Sequence, residues 1–189
     1  VTAFNRASTD AFSLYALDAL GWGRLTITPG VRLELMRSTF ENRDDGSSSG
    51  GASQLALPGV GVFYGLTDAV GVLAGVYRGM SPPPPEQDVE PEVSVNYEAG
   101  VRYAGGRARA EVIGYYNDYS NLTSICTFSS GCDEMNLDRQ FAAGRARIYG
   151  LEAFAEHEIA AGPLALPLRA SYTLTFTEFL ETFQSPDPT

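Results

Sequence analysis

Val93-Ser94-Val95-Asn96-Tyr97-Glu98-Ala99-Gly100-Val101-Arg102-Tyr103 is the stretch whose reading decides the fold. Its odd positions are Val, Val, Tyr, Ala, Val and Tyr, and its even positions are Ser, Asn, Glu, Gly and Arg. Successive side chains of a β-strand point to opposite faces, so this order gives one apolar and one hydrated face. The same period runs on both sides of it. Leu25, Ile27, Pro29, Val31, Leu33 and Leu35 share a face opposite Thr26, Thr28, Gly30, Arg32, Glu34 and Met36. Leu164, Leu166, Leu168, Ala170, Tyr172, Leu174 and Phe176 alternate with Ala165, Pro167, Arg169, Ser171, Thr173, Thr175 and Thr177.

Eight such segments lie near residues 11–20, 25–38, 55–66, 69–79, 93–104, 107–119, 145–158 and 164–178. No helical period of useful length interrupts them. Their connections alternate between short and long. Residues 21–24, 67–68, 105–106 and 160–163 are tight, whereas 39–54, 80–92 and 120–144 are long and polar. Soluble strands usually run ~5–6 residues. Strands that cross a bilayer need ~9–11, with short turns on the periplasmic side and long loops outside. The expectation is therefore all-β: an antiparallel up-and-down transmembrane β-barrel segment of about eight strands. Its apolar face meets lipid, and Tyr97 and Tyr103 mark the two ends of one apolar row, as interfacial aromatics do. The alternative is a soluble β-sandwich whose apolar faces pack on one another.

Composition narrows the function. The 189 residues carry 23 acidic and 13 basic side chains, all the latter arginine, for a net charge of -10. Such a chain repels a phosphate backbone, which argues against nucleic-acid binding. One histidine, His157, and two cysteines exclude a His-rich or four-thiolate metal site. Ten acids in the long loops (Glu41, Asp44, Asp45, Glu86, Asp88, Glu90, Glu92, Asp133, Glu134 and Asp138) face only Arg43 and Arg139. That field repels an anionic chelate and suits divalent cations that bridge lipopolysaccharide. Glu86-Gln87-Asp88-Val89-Glu90 alternates acids but lacks the glycine turn of a calcium loop.

The loop rhythm also sets topology. Long loops follow strands two, four and six, so both Val1 and Thr189 fall on the extracellular rim. The reading is a run of consecutive strands cut from a larger wall, since an isolated sheet leaves two open edges that lipid does not tolerate.

Several stretches carry a family resemblance. Pro58-Gly59-Val60-Gly61-Val62-Phe63-Tyr64 with Thr67-Asp68, then Val76-Tyr77-Arg78-Gly79-Met80-Ser81-Pro82, resemble the middle barrel of TonB-dependent outer-membrane receptors. So do Pro91 to Arg102, Ala146-Arg147-Ile148-Tyr149-Gly150-Leu151-Glu152 and Thr28-Pro29-Gly30-Val31-Arg32-Leu33-Glu34. The nearest type is the ferric-citrate receptor. The resemblance implies a barrel of about 22 strands around an N-terminal plug, importing iron chelates with energy relayed by TonB. Residues 1–189 then form a partial barrel domain, with no plug, no TonB box and the C-terminal strands missing. The implied location is the bacterial outer membrane. The implied partners are its lipid and lipopolysaccharide, the plug and TonB of the parent chain, and a ferric chelate. A passive porin or adhesin-like barrel is the alternative within the membrane class.

Inward positions of such a wall are polar: Arg32, Glu34, Asn96, Glu98, Arg102, Arg107, Arg109, Glu111 and Asn117. Most serve wall–wall and wall–plug pairing. Ligand contact is expected near the outer rim, at Tyr77, Asn96, Asn117, Tyr119 and Arg139. Cys126 and Cys132, in the longest loop, are expected to form a disulfide in that oxidising compartment.

Other motifs carry less. Gly46-Ser47-Ser48-Ser49-Gly50 fits the hydrolase pattern G-x-S-x-G, which needs a strand-to-helix elbow and a nearby histidine. Here a Ser/Gly-rich loop holds it and His157 maps to the opposite end, so no enzyme, catalytic residue, metal site or cofactor is expected. Pro82 to Pro85 stiffens a loop, and Asn121-Leu122-Thr123 is a sequon without meaning in a bacterial outer membrane.

Overall fold

The computed structural model describes residues 4–82, 91–125, 127 and 140–180. They form one antiparallel sheet of nine strands: β1 (Asn5–Leu17), β2 (Leu20–Trp22), β3 (Leu25–Asn42), β4 (Ser48–Gly65), β5 (Val70–Ser81), β6 (Glu92–Gly105), β7 (Ala108–Ile125), β8 (Gln140–Ala161) and β9 (Leu164–Phe179). From β3 on, each strand pairs with its sequence neighbour. β1 and β2 both pair with β3. The sheet is open, with β1 and β9 at its edges among the described residues.

The segment read as one strand near 11–20 is thus two. Leu17 faces Gly30 and Leu20 faces Ile27, so the register does not change across the gap. Asp18 N donates to the carbonyl of Pro29 at 3.2 Å, but Pro29 has no N–H to return. The ladder lapses there and resumes beyond it.

The first long loop is also mostly ladder. Thr39 pairs with Gly50 and Glu41 with Ser48, leaving residues 43–47 as the connection. Backbone pairing needs no apolar side chain, so a hairpin continues into water after its alternation has faded. Asp45 caps its tip. The Ser47 hydroxyl and amide both donate to Asp45 Oδ1, at 2.7 and 2.8 Å, and hold its carboxyl below the usual range. At the opposite end, Gly23, Gly106 and Gly162 take φ of 61°, 58° and 64°. Each is the first residue of a two-residue turn, where a type II′ hairpin calls for glycine.

The distribution of side chains is inverted relative to a soluble domain. Glu34, Ser94 and Asn96 are among the most buried residues, at 5–6% exposure, while the only buried hydrophobic residue described is Ala146. Val101 and Tyr97 keep 48% and 49% of their surface. No second sheet lies over the apolar face among the described residues, so the sandwich alternative falls. Tyr97, Tyr116, Tyr149 and Phe176 face one another across β6 to β9 on the apolar face, with ring centroids 6.2, 6.4 and 5.5 Å apart. Adjacent aromatic pairs of this kind support register.

Where the other face needs close approach, it uses glycine. A Cβ on Gly150 would run into the Leu174 carbonyl on β9, whereas one on Gly61, on the same face, would meet nothing within 4 Å. Gly150→Ala is expected to cost ~1–3 kcal/mol and Gly61→Ala to be near neutral, as read by denaturant unfolding of the folded barrel in lipid vesicles. By the same assay Val101→Arg should cost ~2–4 kcal/mol near the bilayer midplane. Thr173→Arg, on the polar face beside Glu152, should change stability little; equal losses would contradict the assigned faces.

Candidate ligand-binding wall

Pairing register brings the rim candidates together. Tyr77 on β5 faces Asn96 on β6, which faces Asn117 on β7. Tyr119 lies one same-face step further along β7, opposite Ser94. All four belong to the polar face, in the half of β5 and β6 nearest the long connections. Arg139, Cys126 and Cys132 lie outside the described residues.

The four are not equivalent. Asn96 is buried, and its Nδ2 donates to Ser94 Oγ at 3.1 Å and to the Tyr77 carbonyl at 3.3 Å. It is held by the wall itself, where Gly79 leaves room for it and Ser94. Tyr77 is 46% exposed. Tyr115, which the sequence reading did not select, shares this face: its hydroxyl lies 2.6 Å from Thr175 Oγ1. Its parity with Asn117 on β7 was the available signal. Glu98, facing Tyr115, lies over Gly75, where an added Cβ would come within 3.0 Å of its carboxylate.

Towards the short turns the same face becomes ionic. Arg102 pairs with Glu111 across β6 and β7. Glu156 on β8 accepts from Arg109 on β7 at 2.8 Å and Arg169 on β9 at 3.0 Å. Arg107 stands 4.0 Å from Glu158. In the middle of β3, further from the short turns, Glu34 bonds Arg32 and the Ser13 hydroxyl of β1. The expected cross-strand pairing on the polar face is present. Such partly exposed pairs contribute modestly to stability; they tie adjacent strands and neutralise the inner surface.

The hydrolase-like stretch does not form a site. Ser48 and Ser49 belong to β4, opposite Glu41 and Phe40, rather than to a strand-to-helix elbow. His157 faces Ala108, next to the turn at the other end of the sheet. Among the described residues no cluster of His, Cys, Asp and Glu is arranged to hold a metal.

Comparison with known proteins follows the geometry. The fold is similar to that of the ferric citrate transporter FecA in its unliganded form, at 26% identity over 95% of this chain and 28% of that one, with a TM-score of 0.74. It is similar to the alcaligin outer-membrane receptor FauA from Bordetella pertussis, at 20% identity over 96% of this chain and 32% of that one, TM-score 0.74. The ferric yersiniabactin uptake receptor FyuA from Yersinia pestis matches at 24% identity over 93% of this chain and 28% of that one, TM-score 0.64. For the last two the likeness is one of fold. The chain spans about a third or less of the length of each. Residues 1–188 match the family described as TonB dependent receptor-like, beta-barrel. A single meander of long strands, polar on one face and apolar on the other, is what a stretch of such a wall requires, and the chain belongs to that family.

Proposed function

We propose that this chain is wall of an outer-membrane receptor that imports an iron chelate, with a plug domain and TonB coupling supplied by the parent protein. The observation that carries the reading is the convergence of Tyr77, Asn117 and Tyr119 on the polar face of a barrel wall similar to that of FecA. Hydroxyls and amides that alternate around a water-filled mouth can replace the hydration shell of a polar chelate. Arg139, in the longest connection, is proposed as a further contact, and Cys126 with Cys132 as the disulfide that staples that loop.

The ligand is not assigned to citrate. The acidic long loops, together with Glu98 and Glu152 on the inner face, disfavour a polyanion over a neutral or cationic chelate. In the full-length receptor, uptake of radioactive iron chelates should require TonB; uptake that persists without it would favour a passive pore. Tyr77→Ala and Asn117→Ala should each weaken chelate binding ~10-fold with little loss of stability. Asn96→Ala should instead cost ~1–3 kcal/mol of stability, since it strips a buried hydrogen-bonded amide from the wall. Titration of the purified receptor and its denaturant unfolding separate the two effects.

A further inference from the structure

We propose that the upper edge of β4, from Gly50 to Gln54, accepts an extended cationic peptide as an added antiparallel strand. β4 pairs with β3 along its length, from Ser48 opposite Glu41 to Tyr64 opposite Leu25. Its pairing with β5 runs only from Gly59, opposite Tyr77, to Gly65, opposite Gly71. β5 nevertheless continues to Ser81, paired with β6. Towards the long connections the wall therefore parts into two rafts, one ending in β4 and one beginning with β5, with a seam between them.

Proline sets where the ladder stops. Asn42 N donates to the Ser47 carbonyl at 2.8 Å and Gly65 N to the Arg24 carbonyl at 2.9 Å, so the odd-numbered residues of β4 turn their backbone groups to β3. In an antiparallel ladder the even-numbered ones turn theirs to the other neighbour, β5. Pro58 is even-numbered, lies next above the Gly59–Tyr77 pair and has no N–H to give. Arg78 on β5 spans the foot of the seam, its Nη1 lying 3.5 Å from the Ala56 carbonyl oxygen. Above it Gly50, Ala52 and Gln54 are exposed. Among the described residues their N–H and C=O groups, turned to the seam, meet no backbone partner.

The edge is also undefended. Natural sheet edges are kept from pairing by charge, proline or shortness. Residues 46–58 carry no charged side chain, and Pro58 guards only the lower end. Such an edge holds an incoming strand through main-chain hydrogen bonds. Two features choose the occupant. A second copy upright in the same membrane runs its β4 in the same direction, so a twofold axis along the membrane normal does not bring two such edges together antiparallel. The long connections carry ten acidic side chains against two arginines, a field that draws a cationic chain and turns away an anionic one. Long connections lie outside the cell, so the peptide comes from there.

The test uses the full-length receptor in lipid vesicles and a short synthetic peptide of alternating lysine and valine, with binding and residue-resolved amide hydrogen exchange as readouts. The peptide should bind and slow exchange at Ala52 and Gln54. Its fully N-methylated counterpart, equal in charge but without donors, should bind at least ~10-fold more weakly. Ala52→Pro and Gln54→Pro each remove an N–H that faces the seam and leave the ladder to β3, and each should weaken binding several-fold. Heat-modifiable gel mobility reports that these variants are folded, and the exchange result on the wild type stands without them. Absence of protection at Ala52 and Gln54 overturns the proposal, as does equal binding of the N-methylated peptide or of one with glutamate in place of lysine. Slow exchange at both amides before any peptide is added also overturns it, because the edge is then already covered by the chain's own connections or a second copy.

Discussion

Hydrocarbon offers no water to a peptide group, and that constraint orders everything else in this chain. Each N–H and C=O that enters the bilayer must find another backbone group. A meander of long antiparallel hairpins meets that demand with the shortest connections. The register holds from β3 to β9 apart from two shifts on β7, between Tyr119 and Leu122 and between Leu122 and Thr123, both at the long-connection end. Pro29 shows how local the demand is: one missing N–H splits the first strand into β1 and β2 without altering the pairing on either side.

Once the backbone is satisfied, the two faces divide the work. The outward face has no core to join, so its leucines, valines and aromatics remain exposed within the sheet and take their packing from lipid. The inward face meets water or protein, and there the polar groups are the covered ones. On β6 to β9 arginine and glutamate of neighbouring strands neutralise one another towards the short turns, while Tyr77, Asn96, Asn117 and Tyr119 lie towards the long connections. On these strands the polar face thus passes from ion pairs that tie neighbours together to hydroxyl and amide groups.

Much of this was legible in residues 93–103 and their echoes. Period-2 alternation located every spanning segment and assigned its faces, because a strand's side-chain direction is set locally. The inward placement of Asn96, Glu98, Arg102 and Glu111 followed from parity alone. Strand ends were less legible. β3 and β4 continue to Asn42 and from Ser48, through residues read as loop, because above the membrane the ladder persists while neither face needs to be greasy. Tyr115 was passed over for want of any local signal beyond its parity, and the occupation of the Asn96 amide by Ser94 and the Tyr77 carbonyl had no sign in the sequence.

The sequence by itself determined strand, face, hairpin and family resemblance, since all of these depend on neighbours a few residues apart. Only the tertiary structure decided which side chains meet: that Glu156 is shared by Arg109 and Arg169, and that Asn96 spends its amide on Ser94 and Tyr77. These depend on the register between strands, and register is a sum over whole ladders that no single stretch of residues contains.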